Sequence, residues 1–172
     1  MKSLLAFLAT LSFATAALAQ DEPQAFNAFA VSTAQGTIVP SGDKQATMVG
    51  TVKGLLFVET AEGPVEAGTV SCAASLRLDF DTRHQAGSGA CTFTAADGAA
   101  AWGDWQCEGY ELVGCRGKLT LNGGSGRLQG VSGEGAMTWR PSARALQHKP
   151  DGASDIAASG ILIWRDFKLA KK

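Results

Sequence analysis

The chain has 172 residues, of which 45% are hydrophobic and 18% are charged, and its formal net charge at pH 7 is −1. Charges of both signs are mixed along the chain, which argues against a nucleic-acid-binding surface or an anionic-membrane anchor. The 21 glycines and five prolines are scattered between short apolar runs, a composition typical of an all-β domain.

The first 19 residues predict a secretory signal peptide. Lys2 precedes an apolar run at 4–18, and an Ala-Leu-Ala sequence ending at Ala19 provides a cleavage site. The run is shorter than the roughly 20 residues that a membrane-spanning helix needs, so we expect cleavage and no membrane span in the product. The expected product is a single domain at 20–172, located in the periplasm or outside the cell. Loss of Lys2 changes its net charge from −1 to −2.

Eight segments of the expected product have the composition of β-strands, because apolar or alternating runs end at turn residues. They are residues 26–33, 46–60, 68–81, 87–96, 102–109, 115–122, 132–140 and 153–167. Residues 20–25 predict a tail, and the polar segment 141–152 predicts a loop. Eight short strands at this spacing are typical of a closed barrel or a sandwich, and the glycine pattern described below favours the antiparallel β-barrel.

Two strands are apolar on both faces. Residues 55–58 read Leu-Leu-Phe-Val, and residues 161–164 read Ile-Leu-Ile-Trp. One face of each strand belongs to the core, so the other face needs a cover to keep it from water. We expect that cover to be either the N-terminal segment or a second subunit, which makes the protein a candidate homo-oligomer.

In the third strand, alternation separates a core face from a solvent face. The predicted inward residues are Cys72, Ala74, Leu76, Leu78 and Phe80. Arg77 and Asp79 take the outer face, and Arg116 and Lys118 do so in the sixth strand. In an outer-membrane barrel these charges would face lipid, so the pattern favours a soluble barrel.

The four cysteines predict two disulfide bonds in an exported chain. Cys72 and Cys91 flank a predicted turn at 81–84, and Cys107 and Cys115 flank the next turn, with all four side chains on inward faces. This arrangement favours Cys72 with Cys91 and Cys107 with Cys115. The nested pairing, Cys91 with Cys107 and Cys72 with Cys115, satisfies the same alternation and stays open.

The chain carries no recognisable catalytic or metal-binding motif. It has two histidines, His84 in a predicted turn and His148 in the predicted loop, and it contains neither CxxC nor the nucleophile motif GxSxG. Acidic pairs such as Asp79 and Asp81 lie on polar faces, where a solvated surface is the better interpretation. We therefore predict no catalytic residue, no metal and no cofactor.

The most informative segment is 119–139, in which a glycine-rich turn joins two strands. Gly123, Gly124, Gly126 and Gly130 fit positions that need positive φ or close strand approach. The turn matches neither GxGxxG nor GxxxxGK[ST], and it leads into a strand, whereas phosphate-binding loops lead into a helix. We predict that these glycines form a structural corner of a barrel.

The candidate ligand-binding residues lie on the predicted inward faces. They are Met137, Trp139, Trp105 and Phe93. An eight-stranded barrel can hold one small molecule, and Gly133 and Gly135 remove side-chain volume on the face that carries Trp139. The alternative is that the aromatic rings fill a solid core.

The segment LTLNGGSGRLQGVSGEG resembles the signature GGTGRFxGAxG of the allene oxide cyclase and dirigent barrel superfamily. The wider stretch 87–135, with CTFTAADG and WQCEGYELVGCRGKLTL, resembles exported bacterial proteins of that barrel type. This resemblance implies an eight-stranded antiparallel barrel, a central cavity and trimers packed through outer faces. Ser125 and Leu128 replace the usual threonine and aromatic residue. No cyclase or dirigent catalytic residue matches a position here, so those activities are not carried over.

Three functions are compatible with these observations. The first is non-catalytic binding of a small apolar or aromatic ligand inside the barrel. The second is a structural or interaction module of the cell envelope that acts as an oligomer. The third, a cyclase- or isomerase-like enzyme, rests on fold analogy alone. We rank binding first and catalysis last.

Overall fold

The computed structural model describes residues 24–171, and these residues form eight antiparallel strands. The strands are β1 (Gln24–Gly42), β2 (Gln45–Thr60), β3 (Gly63–Asp79), β4 (His84–Thr94), β5 (Ala100–Tyr110), β6 (Gly114–Gly124), β7 (Val131–His148) and β8 (Ser154–Lys171). Each strand pairs with its neighbour in the chain, and β1 also pairs with β8, so the sheet closes into a barrel. The predicted all-β, eight-stranded antiparallel architecture is confirmed. The predicted signal peptide, residues 1–19, lies outside the described residues.

The up-and-down topology gives the barrel two rims. The terminal rim contains the start of β1, the end of β8 and the connections 61–62, 95–99 and 125–130. The hairpin rim contains the connections 43–44, 80–83, 111–113 and 149–153. The connection 125–130 includes a short 3-10 helix, Gly126–Leu128. Within the described residues, no helix is long and apolar enough to cross a membrane.

The predicted alternation of faces is confirmed in β3. Cys72 and Leu76 are buried inside the barrel, and Arg77 is exposed on its outer surface. Phe80 is an exception, because β3 ends at Asp79 and the Phe80 side chain is exposed at the hairpin rim. The alternation cannot position a side chain beyond the end of its strand.

The sequence prediction of a loop at 141–152 is wrong for most of that segment, because β7 continues to His148. The β7–β8 register shifts between Pro141 and Ala143, and such an irregularity accommodates a proline that lacks an N–H donor. Beyond it, Arg144 pairs with Ala158 in a regular ladder. β1 likewise runs nine residues past its predicted end at position 33. The pairing of β6 with β7 stops at Trp139, so β7 and its partners project beyond β6 at the hairpin rim.

Two disulfides cross-link neighbouring strands inside the barrel. Cys72 on β3 lies directly opposite Cys91 on β4, with their Cα atoms 4.0 Å apart. Cys107 on β5 is bonded to Cys115 on β6, with a Cα–Cα distance of 5.6 Å. These are the pairs that the alternation favours, and they exclude the nested pairing. The two bonds are compatible with an oxidising compartment.

Removing the Cys72–Cys91 disulfide is expected to destabilise the fold more than removing the Cys107–Cys115 disulfide. The loops closed by the two bonds span 19 and 8 residues. Loop entropy gives a loss of unfolding free energy of about 3 kcal/mol for Cys72→Ala/Cys91→Ala and about 2.5 kcal/mol for Cys107→Ala/Cys115→Ala. Urea unfolding followed by tryptophan fluorescence measures both losses. A larger loss in the second variant would contradict this loop-entropy ordering.

Candidate functional site

The middle of the barrel is filled by side chains. Trp105, Met137 and both disulfides are buried there. The indole Nε1 of Trp105 donates a hydrogen bond to the carbonyl oxygen of Ala73 at 3.2 Å. Gly89 lies directly opposite Trp105 in the β4–β5 register, and a Cβ atom at Gly89 would lie 2.9 Å from the Trp105 Nε1. The Trp105 ring therefore fits because Gly89 has no side chain. The buried side chains in the middle of the barrel separate two cavities, one at each rim.

The larger cavity, with a volume of about 360 Å³, lies at the hairpin rim and is called the Trp139 cavity. Its wall is mostly apolar. The main apolar lining residues are Ile38, Met48, Val52, Leu76, Leu78 and Ile156. The ring of Trp139 extends over Gly160 on β8, where a Cβ atom would lie 2.7 Å from the Trp139 Cη2 atom. The absent side chain at Gly160 thus sets the position of the Trp139 ring in the cavity wall.

Seven polar residues complete the lining of the Trp139 cavity. They are Gln35, Thr51, Gln85, Glu111, Arg144, His148 and Ser154. Gln85 and Ser154 are buried, and the Ser154 Oγ lies 2.8 Å from the His148 Nδ1. Arg144 is half-buried, and within residues 24–171 its guanidinium group has no hydrogen-bond or ion-pair partner. The cavity therefore combines an apolar body with a polar edge.

The mouth of the Trp139 cavity is rimmed by exposed apolar side chains. Phe80, Leu112 and Leu146 all line the cavity, and Leu112 is 65% exposed. Leu112 has a φ of 69°, which is a left-handed conformation that a leucine rarely adopts. Leu112 lies in the three-residue connection 111–113, and short hairpin loops commonly contain one residue in this conformation, so the turn itself accounts for its φ.

The smaller cavity, with a volume of about 200 Å³, lies at the terminal rim and is called the Trp164 cavity. Phe26, Phe93, Phe167 and Trp164 provide its aromatic wall. The rings of Phe93 and Trp164 meet edge to face with centroids 5.3 Å apart. Trp164 is 2% exposed, and its Nε1 is buried without a hydrogen-bond partner among the described residues.

The glycine-rich turn closes the terminal rim next to the Trp164 cavity. Gly126 and Gly130 have φ values of 60° and 75°, which explains why these two positions need glycine. The 3-10 helix brings Leu128 into the cavity wall. Arg127 donates a hydrogen bond from Nε to the Asp97 Oδ2 at 2.6 Å, joining this turn to the connection 95–99.

The structure divides the four predicted ligand-binding residues. Trp139 lines the cavity at the hairpin rim, Phe93 lines the cavity at the terminal rim, and Met137 and Trp105 are buried between the two. Gly133 and Gly135 accommodate a different ring from the one expected. A Cβ atom at Gly135 would lie 2.6 Å from the Phe167 Cδ2. The space that these glycines leave is therefore taken by Phe167.

Sequence reasoning did not select Trp164 among the four ligand-binding candidates, and it missed Arg144 as a cavity residue. Alternation along β8 puts Trp164 on the same face as Leu162, and that pattern could have found it. Arg144 lies in the segment predicted as a loop, where no inward face could be assigned. The described residues contain no cluster of three or more side chains suited to holding a metal ion.

Comparison with protein-family models gives no match for this chain. Comparison with curated proteins gives no match either. The evidence about function therefore comes from the cavities and their lining residues.

Arg127→Ala is expected to raise the pKa of Asp97 towards its ordinary value of 3.8. Hydrogen bonds from the Arg127 side chain and the Ala99 N–H hold the pKa of Asp97 below that value. A carboxyl group with a lowered pKa stabilises the fold above its unfolded-state pKa, and the stabilisation is lost as the pH falls through the folded-state pKa. NMR titration of the Asp97 side-chain carbon measures the change. Arg116→Ala serves as the control, and an unchanged Asp97 pKa in Arg127→Ala would refute the link.

Proposed function

We propose that the protein binds a small apolar or aromatic ligand in the Trp139 cavity and does not catalyse a reaction on it. The observation that carries this proposal is an apolar cavity of about 360 Å³ inside a closed barrel. Small-molecule sites commonly have volumes of about 300–1,000 Å³, with apolar walls and a few polar groups. Trp139 is in the wall and gives bound aromatic molecules a surface for stacking.

The polar edge of the cavity gives a ligand its orientation. Arg144, which has no partner within residues 24–171, supplies a positive charge at the cavity wall, and Gln85 and Ser154 supply neutral polar groups. The contact between Ser154 and His148 has the length of a nucleophile–base hydrogen bond. However, no carboxylate within residues 24–171 hydrogen-bonds to His148 to orient its ring. This incomplete arrangement favours binding over hydrolysis.

We also propose a family relationship and a location for the protein. The closed eight-stranded antiparallel topology and the turn at Gly126 support a relationship with the allene oxide cyclase and dirigent barrels. Two disulfides support an exported location, in the periplasm or outside the cell. A fold relationship carries no activity with it, so the cyclase- or isomerase-like alternative has no supporting residue here.

Filling the Trp139 cavity is expected to abolish ligand binding. Ala158 lines the cavity, whereas its neighbour Ala157 is exposed, so Ala158→Leu fills the site and Ala157→Leu is the matched control. The probe is N-phenyl-1-naphthylamine, a neutral apolar fluorophore whose emission rises on leaving water. We expect saturable binding to the wild type, at least about tenfold weaker binding to Ala158→Leu, and unchanged binding to Ala157→Leu. Absence of saturable binding to the wild type, or equal loss in the control, would contradict the proposal.

A second candidate function, an oligomeric interaction module, is favoured by an apolar patch on the outer surface. The patch spans three adjacent strands and consists of Phe29, Val31, Leu55, Phe57, Ile161 and Ile163. Val31 lies opposite both Leu55 and Ile161, and the rings of Phe29 and Phe57 stack with centroids 5.2 Å apart. Leu55 is 47% exposed. A contiguous apolar surface of this kind is typical of contact sites between proteins.

If the patch mediates self-association, Leu55→Arg is expected to convert an oligomer into a monomer. The control is Thr51→Arg, since Thr51 is exposed on the same strand outside the patch. Size-exclusion chromatography with light scattering at micromolar concentrations measures the mass of each variant. A monomeric wild type would eliminate this function and leave ligand binding unaffected.

A further inference from the structure

We infer that the free edge of β7 is a docking site for an extended acidic peptide segment, which adds to the sheet as an antiparallel strand. The side of residues 143–148 that faces away from β8 is called the β7 edge. The inference concerns backbone groups and side chains along this edge at the hairpin rim. It therefore does not depend on ligand binding in the Trp139 cavity.

The β7 edge has no neighbouring strand within residues 24–171. The β6–β7 pairing ends at Trp139, whereas the β7–β8 pairing continues to His148. Successive residues of an antiparallel strand direct their N–H and C=O groups to opposite sides. A strand with a neighbour on one side only therefore leaves alternate backbone groups unpaired, and such an edge is a template for pairing with another chain.

The residues along the β7 edge are accessible to a partner. Ala143, Ala145 and Gln147 are exposed, and Leu146 is 54% exposed. Prolines and bulges commonly protect an edge from pairing, and here Pro141 and the register shift precede the segment. Residues 143–148 themselves contain neither a proline nor a lysine. The edge therefore keeps its ability to pair.

The charge of the segment indicates what kind of chain fits. Residues 140–149 contain two arginines, one histidine, one lysine and no acidic residue. Lys149 is already paired with Asp155. Arg144 has no partner within the described residues, and Glu111, which lines the same cavity, forms no ion pair with it. An acidic segment gains an ion pair with Arg144, whereas a second copy of the chain would bring two basic edges together.

The register gives the partner a side-chain pattern. Residues directly opposite each other in an antiparallel pair lie on the same face of the sheet. Arg144 and Leu146 share the inner face of β7, because both line the Trp139 cavity. The partner therefore needs an acidic residue opposite Arg144 and an apolar residue opposite Leu146, two positions earlier in its sequence. Between them, a polar residue suits the exposed position opposite Ala145.

The side-chain pattern is tested with the fluorescein-labelled peptide Thr-Glu-Thr-Leu-Thr-Glu-Thr, whose binding to the full-length protein is followed by fluorescence anisotropy. We expect saturable binding to the wild type, about fivefold weaker binding to Arg144→Glu, and unchanged binding to the control Arg116→Glu, at an exposed position on β6. The peptide Thr-Lys-Thr-Leu-Thr-Lys-Thr should bind Arg144→Glu more tightly than the wild type. Failure of the acidic peptide to bind, equal losses in both variants, or no reversal with the lysine peptide would overturn the inference.

Strand addition is tested separately with N-methylated forms of the acidic peptide. Methyl groups on one alternate set of amides should abolish binding, and methyl groups on the other set should leave it nearly unchanged, because an added strand directs every second N–H towards β7. Bound peptide should also slow hydrogen exchange at alternate amides of residues 143–148. Equal effects of the two methylated sets would exclude strand addition. Slower exchange at these amides caused by raised protein concentration alone would assign the edge to a second copy and overturn the inference as well.

Discussion

The interior of this barrel depends on one steric constraint. A closed eight-stranded sheet has little room inside, so a large ring gains space where an adjacent strand lacks a side chain. Trp105 beside Gly89, Trp139 over Gly160 and Phe167 against Gly135 all meet this condition. These ring and glycine pairs decide which part of the barrel is solid and which part is hollow.

The two cavities that result differ in chemistry. The cavity at the hairpin rim has a polar edge that includes Arg144, which has no partner in the described part of the chain, and its mouth is rimmed by Leu112. The cavity at the terminal rim has an aromatic wall and lies under a turn held by the Arg127–Asp97 ion pair. One rim therefore offers a ligand an apolar wall with several polar contacts, and the other offers an almost wholly apolar, aromatic wall.

Local sequence patterns were sufficient for much of the fold. Alternation predicted the eight strands and the inward face of Cys72, because both depend on residues close together in the chain. The extension of β7 through Arg144 was missed, since a polar strand beyond the barrel body has no apolar alternation. The site was harder to predict. Whether Trp139 meets a cavity or another ring depends on Gly160, a residue on a different strand, and no local pattern contains that information.

The pairing of β1 with β8 has a consequence for when the protein can fold. The first and last strands complete each other, and the buried hydrogen bond from Ser32 to the Gly160 carbonyl joins residues 128 positions apart. Such contacts form only once the C-terminal strand is available, and folding that depends on distant contacts is slow. During synthesis the growing polypeptide thus stays open until its last strand emerges.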